Sequence, residues 1–185
     1  MGKPITEKRL YHITLFYLSR FEASAQKVRA MLHRRVQAAA RRGETIPNET
    51  DRWIEQIVQK VQDMGYVNDT RYAANRVRVC AEQGQSDRMI AARLARDGID
   101  KDTVQALLQT NDNPDSPADE ETRARHWAAR KKIGLFRPIE QRAAHWRKDR
   151  AALARAGFSY DTVQAVMGTK PETVEDDENI PCDFT

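Results

Sequence analysis

Apolar residues recur every three or four positions along most of this chain, a spacing that is typical of amphipathic α-helices. Residues 7–20 place Leu10, Ile13 and Tyr17 on one helical face, with Leu18 close to it. Two more apolar stripes follow, formed by Val28, Met31, Leu32 and Val36, and then by Ile54, Ile57, Val58, Val61 and Met64. No segment alternates with the period of two that a half-buried strand requires. The pattern therefore predicts an all-α protein.

Capping residues and glycines mark the ends of these helices. Ser24 is expected to cap the second helix, which runs to Gly43. Either Thr50 or Asp51 is expected to cap the third, and Gly65 to close it. Three helices within residues 1–68 then make up a first three-helix repeat.

The same order of helices recurs downstream. The motif S-x-x-x-[VI]-x-x-x-L begins at Ser24 and again at Ser86, so the middle helix returns after 62 residues. It follows a predicted helix over residues 69–83, and Asp100 opens a short third helix. Three further helices are expected over residues 119–133, 138–156 and 159–167.

A short phrase, Gly-apolar-x-x-Asp-Thr, stands at three of the joints between helices. It begins at Gly65, Gly98 and Gly157, and residues 94–108 agree with residues 153–167 at nine of fifteen positions. Glycine supplies the left-handed backbone that ends a helix, and the next residue packs back on the last turn. The phrase is thus explained as a helix joint without chemistry of its own.

The caps of the helices that follow these joints come from different residues. They are Asn68 after the first joint, Asp100 after the second and Ser159 after the third. The offsets between the joints are 33 and 59 residues, which excludes a strict solenoid. We expect three tandem three-helix repeats of unequal length in an elongated, curved array.

The predicted organisation has five segments. The repeats span residues 1–68, 69–110 and 119–168, with an acidic linker at 111–118 and a disordered acidic tail at 169–185. Helical arrays bury a core between neighbours and leave long surfaces free, so binding is their usual work.

Charge is unevenly placed along the chain, although the net charge is only +4. Residues 1–46 hold ten basic and three acidic side chains, and residues 123–168 hold eleven basic and three acidic ones. Nine side chains of these two stretches form clusters that are candidate partner contacts: Arg34, Arg35, Arg41, Arg42, Arg130, Lys131, Lys132, Arg147 and Lys148. Such clusters favour a polyanionic or acidic partner. The alternative is a set of solvated helix faces.

Other classes of function find little support. The four histidines, His12, His33, His126 and His145, lie apart from one another and from other metal-ligand residues, so no metal or cofactor is expected. His126 and His145 each precede a tryptophan, Trp127 and Trp146, and both tryptophans are expected to anchor a core. The sequence shows no nucleophile with its base and no phosphate-binding loop, so we do not expect an enzyme.

Compartment and membrane association follow from simpler counts. No apolar stretch approaches the ~20 residues of a membrane span. Cys80 and Cys182 form neither a disulfide framework nor a metal spacing. A reduced cytoplasm is therefore expected.

Three blocks of the sequence, taken in order, resemble the RecX family of regulatory proteins. Residues 65–73, GYVNDTRYA, resemble the family block GY-x-[DN]-D-x-x-[FY]-A. Residues 86–100 and 154–161, the latter reading ARAGFSYD, are similar to its second and third blocks. Asp97 stands where the family often has Lys or Arg, and Ala156 stands where it often has Arg.

The resemblance implies an all-α protein that binds the filament of the RecA recombinase. It further implies inhibition of the ATPase, strand-exchange and coprotease activities of RecA, without chemistry of its own. We expect a cytoplasmic monomer whose contact with DNA is weak and non-specific. The alternative is a helical DNA-binding protein that acts directly on nucleic acid.

Overall fold

A computed structural model describes residues 4–109 and 119–169 of the chain. Within these ranges the chain forms nine α-helices and one short 3₁₀-helix, and it contains no β-strand. The predicted all-α fold is therefore confirmed. The linker expected at residues 111–118 lies outside the described residues, as does the acidic tail beyond Thr169.

The helices follow one another as the sequence pattern predicts. They are α1 (Glu7–Leu18), α2 (Ala25–Arg41), α3 (Thr50–Asp63), α4 (Asp69–Glu82), α5 (Asp87–Arg96), α6 (Lys101–Gln109), α7 (Glu120–Lys131), α8 (Ile139–Arg155) and α9 (Tyr160–Met167). The 3₁₀-helix spans Gly134–Phe136, between α7 and α8.

Two compact units emerge from the contacts between Cα atoms. The first consists of Met1–Asn75 with Leu94–Val104, and the second of Arg76–Arg93 with Gln105–Thr185. The three boundaries fall within helices α4, α5 and α6, so each of these middle helices contributes to both units.

The core of the first unit lies between α1, α2 and α3, which pack against one another. Its fully buried side chains are those that the apolar stripes predict, among them Leu10, Val28, Leu32, Ile54 and Val61. Burial of each such side chain stabilises the folded state by about 1.5–3 kcal/mol relative to leaving it in water. Packing of amphipathic stripes thus accounts for this bundle.

Helix α1 packs its predicted face against the core, although only part of that face is fully buried. Leu10 and Thr14 are fully buried, whereas Ile13 and Tyr17 are partly buried and pack against the core. The Thr14 hydroxyl is tolerated in the core because it donates a hydrogen bond to the backbone carbonyl of Leu10 at 3.0 Å. Ile13 and Tyr17 therefore lie at the margin of the core.

Most of the predicted caps are confirmed. The side chains of Ser24, Asn68, Asp100 and Ser159 each accept a hydrogen bond from the backbone N–H three residues later. The prediction for α3 was wrong. Glu49 precedes this helix without a side-chain cap, and the Thr50 hydroxyl donates instead to the carbonyl of Pro47 at 2.6 Å.

The two glycines of the longer repeated phrase adopt the expected left-handed backbone. Gly98 has φ +83° and Gly157 has φ +81°. A left-handed residue without a Cβ ends α5 and α8 without steric strain. The capping role assigned to both glycines is therefore confirmed.

A largely buried polar network in the first unit joins α2, α4 and the residue that follows α5. The Lys27 ammonium donates to the Tyr72 hydroxyl (2.6 Å) and lies 3.1 Å from the Asp97 carboxylate, and Tyr72 donates to Asp97 at 2.7 Å. Burial alone would lower the pKa of Lys27, but these hydrogen bonds outweigh it and raise the pKa. The network explains physically why an acidic residue is stable at position 97.

The core of the second unit lies between α7, α8, α9 and the 3₁₀-helix. Trp146 is buried within it, as are Leu153, Phe158 and Val166. Trp127 is only partly buried and forms a T-shaped contact with Phe158, with ring centroids 5.9 Å apart. Trp146 is thus a core anchor as predicted, and Trp127 packs at the margin of the same core.

Candidate partner-binding surfaces

The first basic cluster, comprising Arg34, Arg35, Arg41 and Arg42, lies on the second half of α2 and its C-terminal cap. All four side chains are exposed. A spacing of seven residues is close to two helical turns, so Arg34 and Arg41 share one stripe about 10 Å long. Arg42 is paired with Glu44 at 2.9 Å, and its charge is partly compensated there. The stripe through Arg34 and Arg41 is the more open cationic surface.

The second basic cluster begins with Arg130, Lys131 and Lys132 at the end of α7. The three residues are exposed, and Lys132 ends the helix in a left-handed conformation with φ 53° and ψ 52°. Arg130 donates a hydrogen bond to the backbone carbonyl of Gln83 at 3.1 Å. Successive helical residues point about 100° apart, so these cations fan around the helix end rather than form one flat face.

The remaining members of the second basic cluster, Arg147 and Lys148, lie on the exposed side of α8. The neighbouring positions Trp146, Asp149 and Leu153 are buried on the opposite side. Helices α7 and α8 both pack against α9 and against the 3₁₀-helix. The 3₁₀-helix and α9 therefore link the two helices that bear the second basic cluster.

Asp149 holds the 3₁₀-helix in place. Its carboxylate accepts two hydrogen bonds from the Arg137 guanidinium, both at 2.8 Å, and one from the backbone N–H of Gly134 at 3.1 Å. Burial by itself would raise the pKa of Asp149, but the hydrogen bonds from Arg137 and Gly134 prevail and the pKa is lowered. The ionised carboxylate is thus the form that the fold uses.

An open groove between α1 and α2 was not predicted. It has a volume of about 740 Å³, and it belongs entirely to the first unit. Apolar side chains from both helices and from the turn after α1 form its surface: Ile13, Phe16, Tyr17, Phe21 and Met31. Phe16 is 63% exposed and Phe21 is 58% exposed, which is unusual for large aromatic side chains so close together. We refer to this surface as the α1–α2 groove.

The edge of the α1–α2 groove is positively charged. Lys8, Arg9, Arg20 and Arg35 line it together with His12, and none of the described lining residues is acidic. Arg9 also contacts Glu44 at 3.7 Å. The Arg20 guanidinium lies 4.4 Å from the centre of the Phe16 ring, over its face. Arg35, from the first basic cluster, is therefore the one predicted contact residue that lines the groove.

Sequence reasoning missed the groove because Ile13 and Tyr17, which pack against the core, line the groove as well. One signal was present, since α1 carries apolar side chains on several sides rather than on a single stripe: Leu10, Tyr11, Ile13, Leu15, Phe16, Tyr17 and Leu18. A short helix that packs on two neighbours cannot bury all of these positions.

The described part of the chain offers neither a cluster of metal ligands nor a membrane span. Across residues 4–109 and 119–169, no three His, Cys, Asp or Glu side chains come together as a metal site would require. None of the helices in those ranges has the length and apolar character needed to cross a membrane.

The sequence is similar to known regulatory proteins. Residues 68–108 match the family model of the second three-helix domain of RecX. The chain is 31% identical over 175 residues to the regulatory protein RecX of Myxococcus xanthus (strain DK1622), covering 91% of this chain and 89% of that protein. It is 32% identical over 111 residues to the regulatory protein RecX of Agrobacterium fabrum (strain C58), covering 60% and 56% respectively.

Two crystal structures share the fold. A structure of the regulatory protein RecX superposes with a TM-score of 0.61, covering 86% of this chain and 72% of that one. A structure of RecX from Lactobacillus salivarius gives a TM-score of 0.57, with 87% and 94% covered. Both are 20% identical in sequence, so they support the architecture alone.

Proposed function

The chain belongs to the RecX family of regulatory proteins, and we propose that it binds the RecA recombinase filament and inhibits its ATPase, strand-exchange and coprotease activities. The observation that carries this proposal is the 31% identity that extends over 91% of the chain. A match of that length extends well beyond the single three-helix domain at residues 68–108 that the family model covers.

In this proposal the protein acts by occupancy rather than by catalysis, and it needs no cofactor. A helical protein lying along a filament restricts the addition and movement of protomers, which changes filament length and ATP turnover together. Exposed cations on both units support such contact, because guanidinium and ammonium groups remain charged at physiological pH. We propose a cytoplasmic monomer as the acting species.

We propose the nine residues of the two basic clusters as contacts with the filament. Arg34, Arg41, Lys131 and Lys148 are exposed, so they can reach a carboxylate or a phosphate. Arg42 and Arg130 already have partners within the chain, Glu44 and the carbonyl of Gln83. Arg42 and Arg130 are therefore expected to contribute less, since binding to the filament must replace an existing interaction.

The proposal is tested by DNA-dependent ATP hydrolysis of the cognate RecA with increasing amounts of this protein. We expect inhibition at substoichiometric amounts, because a filament can be stopped by acting at few points along it. If stoichiometric protein leaves both ATPase and filament length unchanged, the proposal is wrong.

A second measurement addresses direct action on nucleic acid. Binding to the bare oligonucleotide is measured without RecA, and the ATPase assay is repeated with additional DNA. Inhibition that disappears in excess DNA, together with tight binding to the bare oligonucleotide, would favour a DNA-binding protein instead.

A further inference from the structure

We propose that the α1–α2 groove is a docking site for an acidic amphipathic segment of a partner protein. The segment would place apolar side chains in the groove and carboxylates against its cationic edge. The inference goes beyond filament inhibition, and it holds whether or not RecA supplies the segment.

The apolar part of the argument rests on exposed surface. Phe16 and Phe21 are more than half exposed, and Ile13 and Tyr17 are only half-buried although they lie beside the core. Removing such apolar surface from water favours binding. The volume of about 740 Å³ also lies within the range of about 300–1,000 Å³ that is usual for binding pockets. The α1–α2 groove is therefore suited to receive several apolar side chains.

The electrostatic part of the argument rests on the charged residues at the edge of the groove, all of which are cationic. Lys8, Arg20 and Arg35 make no salt bridge with any other described residue. None of the described residues that line the α1–α2 groove is acidic. Carboxylates pair with guanidinium groups in short, charge-assisted hydrogen bonds. An apolar surface with a cationic edge is thus complementary to a helix or peptide with an apolar face and acidic flanks.

Single-stranded nucleic acid is the less favoured occupant. Base stacking requires aromatic faces that are open to the solvent. The Arg20 guanidinium already covers the face of Phe16, and Tyr17 and Phe21 pack against each other at 5.4 Å between ring centroids. The exposed rings therefore present edges to an apolar ligand more readily than faces to a base.

The test measures fluorescence anisotropy of a labelled synthetic peptide with the full-length protein. The peptide has about 18 residues, with Leu at positions i, i+4, i+7 and i+11, Glu at the positions that flank this stripe, and Ala and Gln elsewhere to favour a helix. A second peptide carries Lys in place of each Glu, and a third probe is a labelled oligothymidylate of similar length. No probe contains recombinase, so the outcome is separate from that of the ATPase assay.

Two double variants examine the two halves of the argument. Phe16→Ala with Phe21→Ala removes the aromatic surface, and Arg20→Glu with Arg35→Glu reverses the edge. Each is expected to weaken binding of the acidic peptide by about tenfold or more. The charge-reversed protein should in turn gain affinity for the Lys peptide, which a damaged fold would not do.

Matched controls come from exposed residues that do not line the groove. Ile139→Ala removes a side chain that is 74% exposed in the second unit, and Arg52→Glu reverses an exposed cation on α3 of the first unit. Both are expected to change affinity by less than about twofold. The proposal is overturned if the acidic peptide does not bind saturably, or if the controls weaken binding equally. It is also overturned if the oligothymidylate binds more tightly through the same residues, which would make the groove a nucleic-acid site.

Discussion

The hydroxyl of Ser86 donates a hydrogen bond to the backbone carbonyl of Ala156, 2.6 Å away, in the second unit. Ser24 makes the same bond to the carbonyl of Asp97 at 2.5 Å in the first unit. In both cases the carbonyl belongs to the residue before the glycine that ends a helix of the next predicted repeat. Each hydroxyl also caps its own helix by accepting from a backbone N–H at 3.2 Å. Each serine therefore caps its own helix and also links it to a segment that is distant in sequence.

Replacing Ser86 by Ala is expected to destabilise the protein by about 2 kcal/mol, because it removes a helix cap and leaves a buried carbonyl without its donor. Urea unfolding followed by circular dichroism measures this change. Ser19→Ala is the matched control, since the Ser19 hydroxyl is exposed and donates to the carbonyl of Phe16 at 2.9 Å. Equal midpoints for the two variants would refute the role assigned to the joint.

Local rules were enough to predict part of these joints. The positive φ of Gly98 and the cap at Ser24 follow from residue type and position relative to an apolar stripe. The bond from Ser24 to Asp97 could not be predicted, since it joins residues 73 positions apart. The same holds for the Lys27–Tyr72–Asp97 network, because sequence spacing does not specify which buried polar groups meet.

The candidate surfaces, like the joints between helices, could be predicted from the sequence only in part. Exposure of Arg34, Arg41 and Lys148 could be predicted from helical period, because each lies opposite an apolar stripe. The α1–α2 groove could not, since an apolar residue such as Ile13 has the same pattern in a core and in an open groove. Packing of neighbouring helices decides between the two.

Gly98 is expected to tolerate substitution less well than Gly65, although both have positive φ. A Cβ at Gly98 would lie 2.5 Å from the Cβ of Gln26, whereas a Cβ at Gly65 meets nothing within 4 Å. Gly65→Ala should cost about 1 kcal/mol from backbone strain alone. Gly98→Ala should cost about 1–2 kcal/mol more, because overpacking adds to the strain, and Gly98→Val should be worse still.

Thermal and urea unfolding of the two alanine variants provide the comparison. Gly157→Ala is a second test, since its Cβ would lie 2.9 Å from the Ser86 hydroxyl and 3.1 Å from the Cβ of Arg88. If all three variants lose the same stability, close approach of the chain contributes nothing and only the left-handed backbone matters.

Asp149→Asn is expected to destabilise the protein by about 3 kcal/mol at neutral pH, because it breaks a largely buried ion pair with Arg137. The pKa of Asp149 is lower in the folded state than its ordinary value, so the unfolded state binds the proton more tightly. This stabilisation is complete above about pH 4 and is lost as the pH falls through the lowered pKa.

The free energy of unfolding as a function of pH measures this effect. The difference between the parent protein and Asp149→Asn should shrink progressively below about pH 4. Glu121→Gln serves as the control, because Glu121 forms an exposed pair with Arg125 one turn along the same helix and should contribute less than about 0.5 kcal/mol. A difference for Asp149→Asn that stays constant down to about pH 2 would contradict the assignment.

The final prediction concerns the end of α7. Replacing Arg130 and Lys131 by Ala and Lys132 by Asn is expected to weaken association with the DNA-bound filament and to flatten its salt dependence. Removal of each cation that binds a phosphate reduces the slope of log affinity against log salt by about 0.7–0.9. Asn is chosen at position 132 because that residue has φ 53°, a conformation that Asn tolerates better than Ala.

The control for this prediction is Arg52→Ala with Arg93→Ala and Lys101→Ala, which removes three exposed cations from outside both basic clusters. An equal loss of slope in the two triple variants would show that net charge matters rather than these three positions. Slopes equal to that of the parent protein in both variants would leave binding to apolar or neutral contacts.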